Sequence, residues 1–469
     1  MNKTILIKDI RLMLKDLKFQ IFFLILVFLF ILSAISSAVT YQTYNEEFQE
    51  DLNRFHDGLA DGSTTKLINL LDTWSLLLVS QPSPAVLFSS YSSYQDKINS
   101  RVIYFMPSLS KYGQTSNEIF RLNWYFILGI LSGFIMLLMS FEAISYEKRA
   151  GTLRLMSIYG FKRQTILWYK YLSYMLLYLI IMIPPALVSL ILFFALTGTW
   201  SVVFMLKFLL ILLISLPFAS FFVFLGMFVS MSKNYRNAIV IIVFIWLFFM
   251  VIVPQSASII GKYISPIKTT NEYQEMRQKA IMDEWDRWID EGYAIGANDK
   301  LEDGVRARGF YALYEKMALA KQIEVDDNLR QTRTIRSIVS LSPFAQFENI
   351  SEIIFDKGFY LLMFMQDATK TAVTQISNLM REQDSRDETS INLFYPGAAS
   401  DASMLAAQGK TTFSQQLFEH PNLLFVTHVE TDDNIAKSVK ILLRLLPILV
   451  LNLILVIVCV GRLERLDIR

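Results

Sequence analysis

The sequence has few of the residues that build disulfide frameworks or metal sites. It contains one cysteine, Cys459, and three histidines among 469 residues. A single thiol excludes an intrachain disulfide framework and a multi-thiolate metal site, and three histidines leave little material for zinc chemistry. Charge is also scarce, because 18% of the residues are charged against about 25% in average soluble domains. The net charge of +2 lacks the strong basic excess expected of a nucleic-acid-binding protein.

The sequence contains several long apolar segments. Hydrophobic residues make up 53% of the chain, and the mean hydropathy is +0.39. A helix needs about 20 apolar residues to cross about 30 Å of hydrocarbon. The first block exceeds the usual length of a signal-peptide core, so we interpret it as an uncleaved span. We predict an α-helical polytopic membrane protein with six transmembrane helices, at residues 21–41, 123–141, 171–196, 202–230, 238–253 and 441–460.

Lysine and arginine predict which side each connection faces. With both termini in the cytoplasm, the short pieces 1–20, 142–170, 231–237 and 461–469 carry 16 basic and 6 acidic residues. The two long pieces, 42–122 and 254–436, carry 24 basic and 36 acidic residues. Basic residues in short loops favour the cytoplasmic side, so both termini are predicted to be cytoplasmic and both long pieces extracytoplasmic. No cytoplasmic piece is long enough for a catalytic domain.

The extracytoplasmic part is predicted to be a mostly helical domain with a smaller mixed α/β part. Segment 42–122 forms a first insertion, and segment 254–436 forms the large domain. Neither contains cysteine, whereas large eukaryotic ectodomains usually carry disulfides. We therefore predict a bacterial cytoplasmic (inner) membrane as the location.

Two cytoplasmic stretches show amphipathic patterns. Residues 1–20 are predicted to form an interfacial helix with apolar residues on one face and basic residues elsewhere. In the loop 142–170, Gly151 can end one helical turn, Thr152 can cap the next, and Gly160 can end it. The result is a short amphipathic helix that can enter a groove on a cytosolic partner. The alternative is an ordinary interfacial loop whose lysines follow the positive-inside rule.

The loop resembles the corresponding loop of ABC-2 type transporter permeases. The residues that carry the resemblance are Glu147, Lys148, Arg149, Gly151, Thr152, Leu153, Leu155, Arg163 and Lys170. In that family the loop is a coupling helix that docks on the ATP-binding subunit. The resemblance assigns this docking role to Glu147, Lys148, Arg149, Gly151, Thr152, Leu153, Leu155 and Arg163. One departure is Tyr159-Gly160, where relatives often have proline.

The resemblance also implies partners. These are two cytosolic ABC ATPase subunits, a second copy of the permease or a paralogous permease, and membrane lipid, with no nucleic acid. The chain itself is expected to be non-catalytic and to hold no cofactor, because ATP and magnesium are bound by the partner ATPase. In the family the second and fifth spans border a cleft between two permeases.

The residues of those spans suit an apolar or amphiphilic substrate. The candidate lining of the translocation cleft is Trp124, Phe134, Met139, Phe244, Trp246 and Phe249. The alternative is that these side chains simply face lipid or neighbouring helices.

The sequence favours one function and leaves others open. We expect a permease subunit of an ATP-driven exporter; the alternative is a mechanotransmission subunit that acts on a periplasmic partner through its outer domain. An ion-driven carrier is disfavoured, because spans 123–141, 171–196 and 238–253 contain no charge. Residues 408–411 end like a phosphate-binding loop, but Met404 stands where that motif needs glycine.

A membrane-anchored periplasmic enzyme is a weaker alternative. Its candidate metal ligands are His420, His428, Glu430, Asp432 and Asp433.

Overall fold

The described part of the chain folds almost entirely into helices. The computed structural model describes residues 3–61, 75–79, 83–88, 97–101, 123–231, 235–290, 303–364, 366–367, 371 and 433–465. The helices are α1 (Lys3–Lys15), α2 (Leu17–Asp61), α3 (Ser132–Ser140), α4 (Ser145–Arg149), α5 (Thr152–Ile158), α6 (Arg163–Thr197), α7 (Val202–Ser230), α8 (Tyr235–Leu247), α9 (Val253–Ile264), α10 (Thr270–Asp290), α11 (Asp303–Val339), α12 (Pro343–Phe355) and α13 (Asn434–Glu464). Two π-helical segments, Phe126–Leu131 and Phe248–Ile252, lead into α3 and join α8 to α9.

Within the ranges given above, six helical stretches are long and apolar enough to cross a membrane, which confirms the predicted α-helical polytopic class. They are Leu17–Glu50, Phe126–Arg149, Arg163–Thr197, Val202–Ser230, Ala238–Ile264 and Asn434–Glu464, here called spans 1 to 6. Only helices can satisfy every backbone N–H and C=O within one segment in hydrocarbon. The fifth span continues to Ile264, beyond its predicted end at residue 253. Proline at the first turn of α9 needs no intrahelical donor, so the helix runs on.

Buried polar groups connect the first three spans. The indole Nε1 of Trp124 donates to Ser189 Oγ at 3.0 Å, and that hydroxyl donates to the carbonyl oxygen of Phe30 at 2.8 Å. Trp124 is fully buried, and its ring lies edge-on to Phe30. Burying a polar group without a partner is costly in an apolar core, so this chain of hydrogen bonds specifies how spans 1, 2 and 3 fit together.

Small residues let span 2 approach span 4 closely. Gly133 on α3 lies against the ring of Phe222 on α7, and Gly226 lies against Ser140, so that a side chain at either glycine would overlap its neighbour. Span 6 packs on the same helix, where Asn452 Nδ2 donates to the carbonyl oxygen of Pro217 at 2.9 Å. Span 4 therefore lies at the centre of the bundle.

The segment predicted to be extracytoplasmic contains a long helical hairpin. Helices α10 and α11 pack together, joined by the Tyr273 hydroxyl donating to Asp327 Oδ2 at 2.9 Å and by an Arg277–Glu324 ion pair at 2.9 Å. Helix α11 also packs along α9, where Gly261 meets Ile335. In the first insertion, strands β1 (Ser75–Val79) and β2 (Lys97–Arg101) form an antiparallel pair. The extent of a mixed α/β part and the orientation of the termini remain predictions.

Helix α12 belongs to the predicted extracytoplasmic segment 254–436, yet it packs among the spans. The hydroxyl of Ser342, just before α12, donates to the carbonyl oxygen of Phe249 in the π segment of span 5 at 2.9 Å. Phe344 stacks on Phe222 with ring centroids 5.1 Å apart, and nearly every residue of α12 is buried. Thirteen residues cannot cross a bilayer, so α12 enters the bundle and leaves on the same side.

The end of α12 is held to two spans by one carboxylate. Asp356 adopts a left-handed backbone conformation with φ 52°, which turns the chain out of the helix. Its Oδ2 lies 3.0 Å from Lys207 Nζ on span 4, and its Oδ1 lies 2.6 Å from Lys437 Nζ on span 6. The carboxylate therefore neutralises two ammonium groups that would otherwise repel each other.

Replacing Asp356 by asparagine tests this clamp. Asparagine tolerates the left-handed backbone, so Asp356→Asn removes the charge and leaves the turn. We expect the free energy of unfolding to fall by about 1–3 kcal/mol, because two partly buried cations lose their common partner. Thermal unfolding in detergent measures the effect, with the exposed Asp283→Asn as the control. Equal unfolding midpoints for both variants would contradict the clamp.

Candidate functional site

The connection between spans 2 and 3 contains a short helix bounded by two glycines. Helix α5 lies between Gly151, with φ 72°, and Gly160, with φ 80°. Both angles fall in the left-handed region, where a side chain costs about 1–2 kcal/mol. A Cβ at either position would meet open space, so backbone conformation alone demands glycine there. The predicted ends of the helix agree with these positions.

Helix α5 has a buried side and an exposed apolar side. Leu153 is 1% exposed and belongs to the core of the bundle, with Met156 packed beside it. Leu155, Ile158 and Tyr159 are 54%, 72% and 80% exposed. These three residues follow the i, i+3, i+4 spacing that places side chains on one helix face. We call them the exposed apolar face; a cluster of this kind marks an interaction surface.

A buried ammonium group holds the loop in place. Lys170 Nζ on α6 lies 2.5 Å from Glu147 Oε1 and 3.0 Å from Asp9 Oδ2. The three side chains are 8%, 13% and 11% exposed, respectively. Buried charges persist only when they are paired, so this network joins α1, α4 and α6. Asp9 is absent from the predicted site residues, because nothing in its local sequence indicates a contact 161 positions away.

Thr152 has a different partner from the one its position suggests. Its hydroxyl donates to the carbonyl oxygen of Glu147 at 3.2 Å and also contacts the Glu147 carboxylate. The predicted cap would instead accept a backbone N–H of α5. The hydroxyl therefore completes the network around Glu147, and its role as a cap of α5 stays a prediction.

Span 4 closes the N-terminal end of α4. The hydroxyl oxygen of Ser230 accepts the backbone N–H of Ile144 at 2.8 Å and that of Ser145 at 3.0 Å. The first N–H groups of a helix lack intrahelical acceptors, so a side chain from another span satisfies them here. The start of the loop is thereby fixed to span 4.

Span 6 is joined to the other end of the loop. Arg163 Nη1 donates to the carbonyl oxygens of Leu463 at 3.1 Å and Glu464 at 2.6 Å. Gln164 Nε2 donates to Glu464 Oε1 at 2.8 Å. The last carbonyls of a helix attract cations, so Arg163 caps span 6 with its guanidinium group.

The structure divides the predicted docking residues into two groups. The first group, Glu147, Thr152, Leu153 and Arg163, is half-buried or buried or is bound to other parts of the chain. The second group, Lys148, Arg149 and Leu155, is exposed at the surface. Gly151 shapes the turn. Ile158 and Tyr159 complete the exposed apolar face and are missing from the predicted set. Their exposure follows from the position of Leu153, because burying that residue turns the opposite side of α5 outward.

The predicted cleft residues lie in different surroundings. Trp124 and Met139 are buried, and Phe134 packs against Trp246 with ring centroids 4.9 Å apart. Phe244 is exposed, and Phe249 contacts the ring of Phe221 on span 4. Their role as a cleft lining remains a prediction.

The candidate metal ligands of the outer segment cannot be assessed as a group. His420, His428, Glu430 and Asp432 lie outside the described residues, as do residues 408–411, and Asp433 precedes α13. Within the described ranges, no cluster of three or more histidine, cysteine or acidic residues could hold a metal ion.

Comparison with known proteins identifies the family of the membrane region. The model of the family described as "ABC-2 family transporter protein" matches residues 3–293. That range includes α1, the first five spans and the loop with its exposed apolar face. No curated protein and no solved structure matched the chain.

Removing the ammonium group of Lys170 tests the buried network. Lys170→Gln leaves Asp9 and Glu147 as neighbouring buried carboxylates, and we expect the free energy of unfolding to fall by about 3–5 kcal/mol. Lys18→Gln is the control, since Lys18 pairs with Glu142 at 3.0 Å but is 47% exposed. That change should cost at most about 1 kcal/mol. Thermal unfolding of the two purified proteins gives the comparison, and similar losses would argue against a special role for Lys170.

Proposed function

The chain belongs to the ABC-2 family of transporter proteins, and we propose that it is the permease subunit of an ATP-driven exporter whose ATPase docks on the exposed apolar face of α5. As a multi-pass membrane protein of this family, it is a permease component of an ABC transporter. Family membership implies association with ABC ATPase subunits. The docking position, the direction of transport and the mechanism are the proposal.

One observation carries the docking position. Leu155, Ile158 and Tyr159 expose apolar surface on a helix that is anchored on its opposite side by Leu153. Exposed apolar side chains on a rigid support are typical of interfaces, where a few large residues supply most of the binding energy. An amphipathic helix presented in this way fits a groove on a partner.

The contacts around α5 supply a route for force. ATP-driven closure of the ATPases would press on α5. The Lys170 network would carry the displacement to α1 and span 3, and Arg163 would carry it to span 6. Packed helices and the ion pairs between them switch between discrete arrangements and do not deform continuously. Each span would therefore tilt as a rigid body. In this mechanism ATP and magnesium bind in the partner subunit only.

We further propose the assembly and its location. Two permeases, identical or paralogous, stand above two ATPases in the cytoplasmic membrane of a bacterium. The positive cytoplasmic loops and the two long acidic segments support this orientation. The translocation cleft lies between the two permeases, with Phe244 of span 5 exposed toward it.

A second candidate function is supported by the long outer hairpin. Helix α11 has 37 residues, which corresponds to about 55 Å at 1.5 Å per residue. It packs on α9, the outer continuation of span 5. A rigid arm joined to a span could move a periplasmic partner without any substrate crossing the bilayer. A partner bound to this arm, together with a sealed cleft, would favour mechanotransmission over export.

Placing a charge on the exposed apolar face tests the docking site. We expect Ile158→Glu to reduce co-purification of the ATPase encoded beside this permease at least tenfold, because the interface would bury an unpaired carboxylate. The folded permease should be unaffected, since Ile158 is 72% exposed. The matched control is Met282→Glu, which changes an exposed apolar residue of α10 on the predicted outer side. Normal co-purification of the Ile158→Glu protein would refute docking at this face.

Asp9 allows a test of the force route. Spin labels at the exposed positions Leu12 on α1 and Arg154 on α5 report the distance between the two helices. In the complex we expect this distance to be the same without nucleotide and with trapped ATP, since Lys170 joins both helices. Asp9→Asn removes one ion pair, so the distance should then change between the two states. Asp16→Asn, an exposed change next to α1, is the control.

The two outcomes separate docking from transmission. The ATPase could still bind the Asp9→Asn permease while the distance between the two labels stays the same with and without ATP. That result would leave the docking proposal intact, but it would show that Lys170 does not join the movements of α1 and α5.

A further inference from the structure

A charged cluster lies among the spans near their predicted outer ends. Arg336 Nη2, on α11, lies 2.5 Å from Glu352 Oε2 and 2.5 Å from Asn349 Oδ1, both on α12. The guanidinium carbon of Arg336 is 5.0 Å from the centre of the Phe359 ring. The side chains of Arg336 and Glu352 are 17% and 7% exposed, respectively. The cluster therefore occupies a medium of low polarity.

A second arginine lies at the same depth on span 6. Helix α12 runs outward to Asp356, where Lys437 of α13 is bound, and α13 then runs inward along α12. Arg444 follows Lys437 by seven residues, which places it on the same side of the helix and about 10 Å deeper. Glu352 and Asn349 precede Asp356 by four and seven residues. Arg444 is therefore level with them, within electrostatic range of Arg336 and Glu352.

Arg444 borders the bilayer. Its side chain is exposed, between Leu443 and Leu446, which are 62% and 54% exposed. Ile448, one turn further along the same helix, is fully buried against the bundle. The arginine thus lies at the boundary between α12 and the surrounding lipid. It makes no hydrogen bond or ion pair with any residue that the structure describes.

Arg336 binds the carboxylate of Glu352 at 2.5 Å, and the charge of Glu348 on the same helix also acts on Glu352. Arg444 itself has no carboxylate within ion-pair distance among the described residues, which leaves its positive charge without a direct partner at the edge of the hydrocarbon. An unpaired cation there is costly, and a guanidinium group binds phosphate through two parallel hydrogen bonds. We propose that Arg444 binds the phosphate group of an anionic membrane phospholipid, whose acyl chains lie along the exposed leucines of α13. A ligand that reaches this position through lipid needs an apolar tail beside its charged head.

Lipid retention by the purified permease tests the proposal. Native mass spectrometry with added phosphatidylglycerol counts the bound lipids, and phosphatidylcholine serves as the zwitterionic comparison. We expect Arg444→Gln to lower the fraction of protein that retains phosphatidylglycerol about tenfold, and Arg444→Lys to restore part of it. The matched control is Lys262→Gln, which removes an exposed cation from the outer end of span 5 and should leave retention unchanged.

Two outcomes would overturn the proposal. Unchanged retention by Arg444→Gln would exclude this arginine as the binding group. Displacement of the lipid by soluble glycerol phosphate at equal concentration would show that the site takes a free phosphate group, without the acyl chains. Either result is independent of the ATPase, because the measurement uses the permease alone.

A change of opposite sign separates binding from folding. Glu352→Gln removes the carboxylate that competes with the lipid phosphate for Arg444, so this variant should retain at least twice as much phosphatidylglycerol. If the cluster had only a structural role, both Glu352→Gln and Arg444→Gln would retain less lipid. Loss in both folded variants would contradict the proposal. If Glu352→Gln does not fold, the comparison of Arg444→Lys with Arg444→Gln decides the question.

Discussion

The arrangement of the predicted cytoplasmic side depends on the ammonium group of Lys170. It lies beneath two carboxylates from different parts of the chain, at 2.5 Å from Glu147 and 3.0 Å from Asp9. Water would screen such charges, but these side chains are little exposed, so their mutual attraction is stronger than it would be in water. These ion pairs therefore join α1, the loop and span 3. Apolar packing alone would not specify how these three elements are oriented relative to one another.

This contact explains which residues of the loop remain accessible to a partner. Glu147 and Thr152 are occupied by the Lys170 network, Leu153 is buried, and Arg163 caps span 6. The residues that carry the family resemblance therefore mostly build the support. The surface left over is the exposed apolar face, whose composition is less distinctive than that of the support. A recognisable motif can thus identify the loop even though most of its residues serve to hold the loop in place.

The sequence predicts the parts of this fold that depend on local patterns. Apolar length predicts the six spans, and glycine positions predict the ends of α5, because both are properties of short stretches of chain. The contacts of Asp9 and Arg163 escape prediction, since their partners lie 161 and 300 positions away. The insertion of α12 among the spans could not be predicted for another reason. Its 13 residues are too few to indicate a position within the membrane, and only the aromatic rings around it show that it is inserted.

Span 6 connects the charged groups of the loop between spans 2 and 3 with those at the end of α12. At one end its last carbonyls accept hydrogen bonds from Arg163, and at the other Lys437 pairs with Asp356 at the end of α12. Between these points the buried Cys459 and Asn452 bond to backbone carbonyls of span 4. Polar contacts in hydrocarbon cannot be exchanged for water, so separating span 6 from these partners would be costly. In the proposed mechanism, a displacement of the loop would therefore be passed to α12 through this one helix.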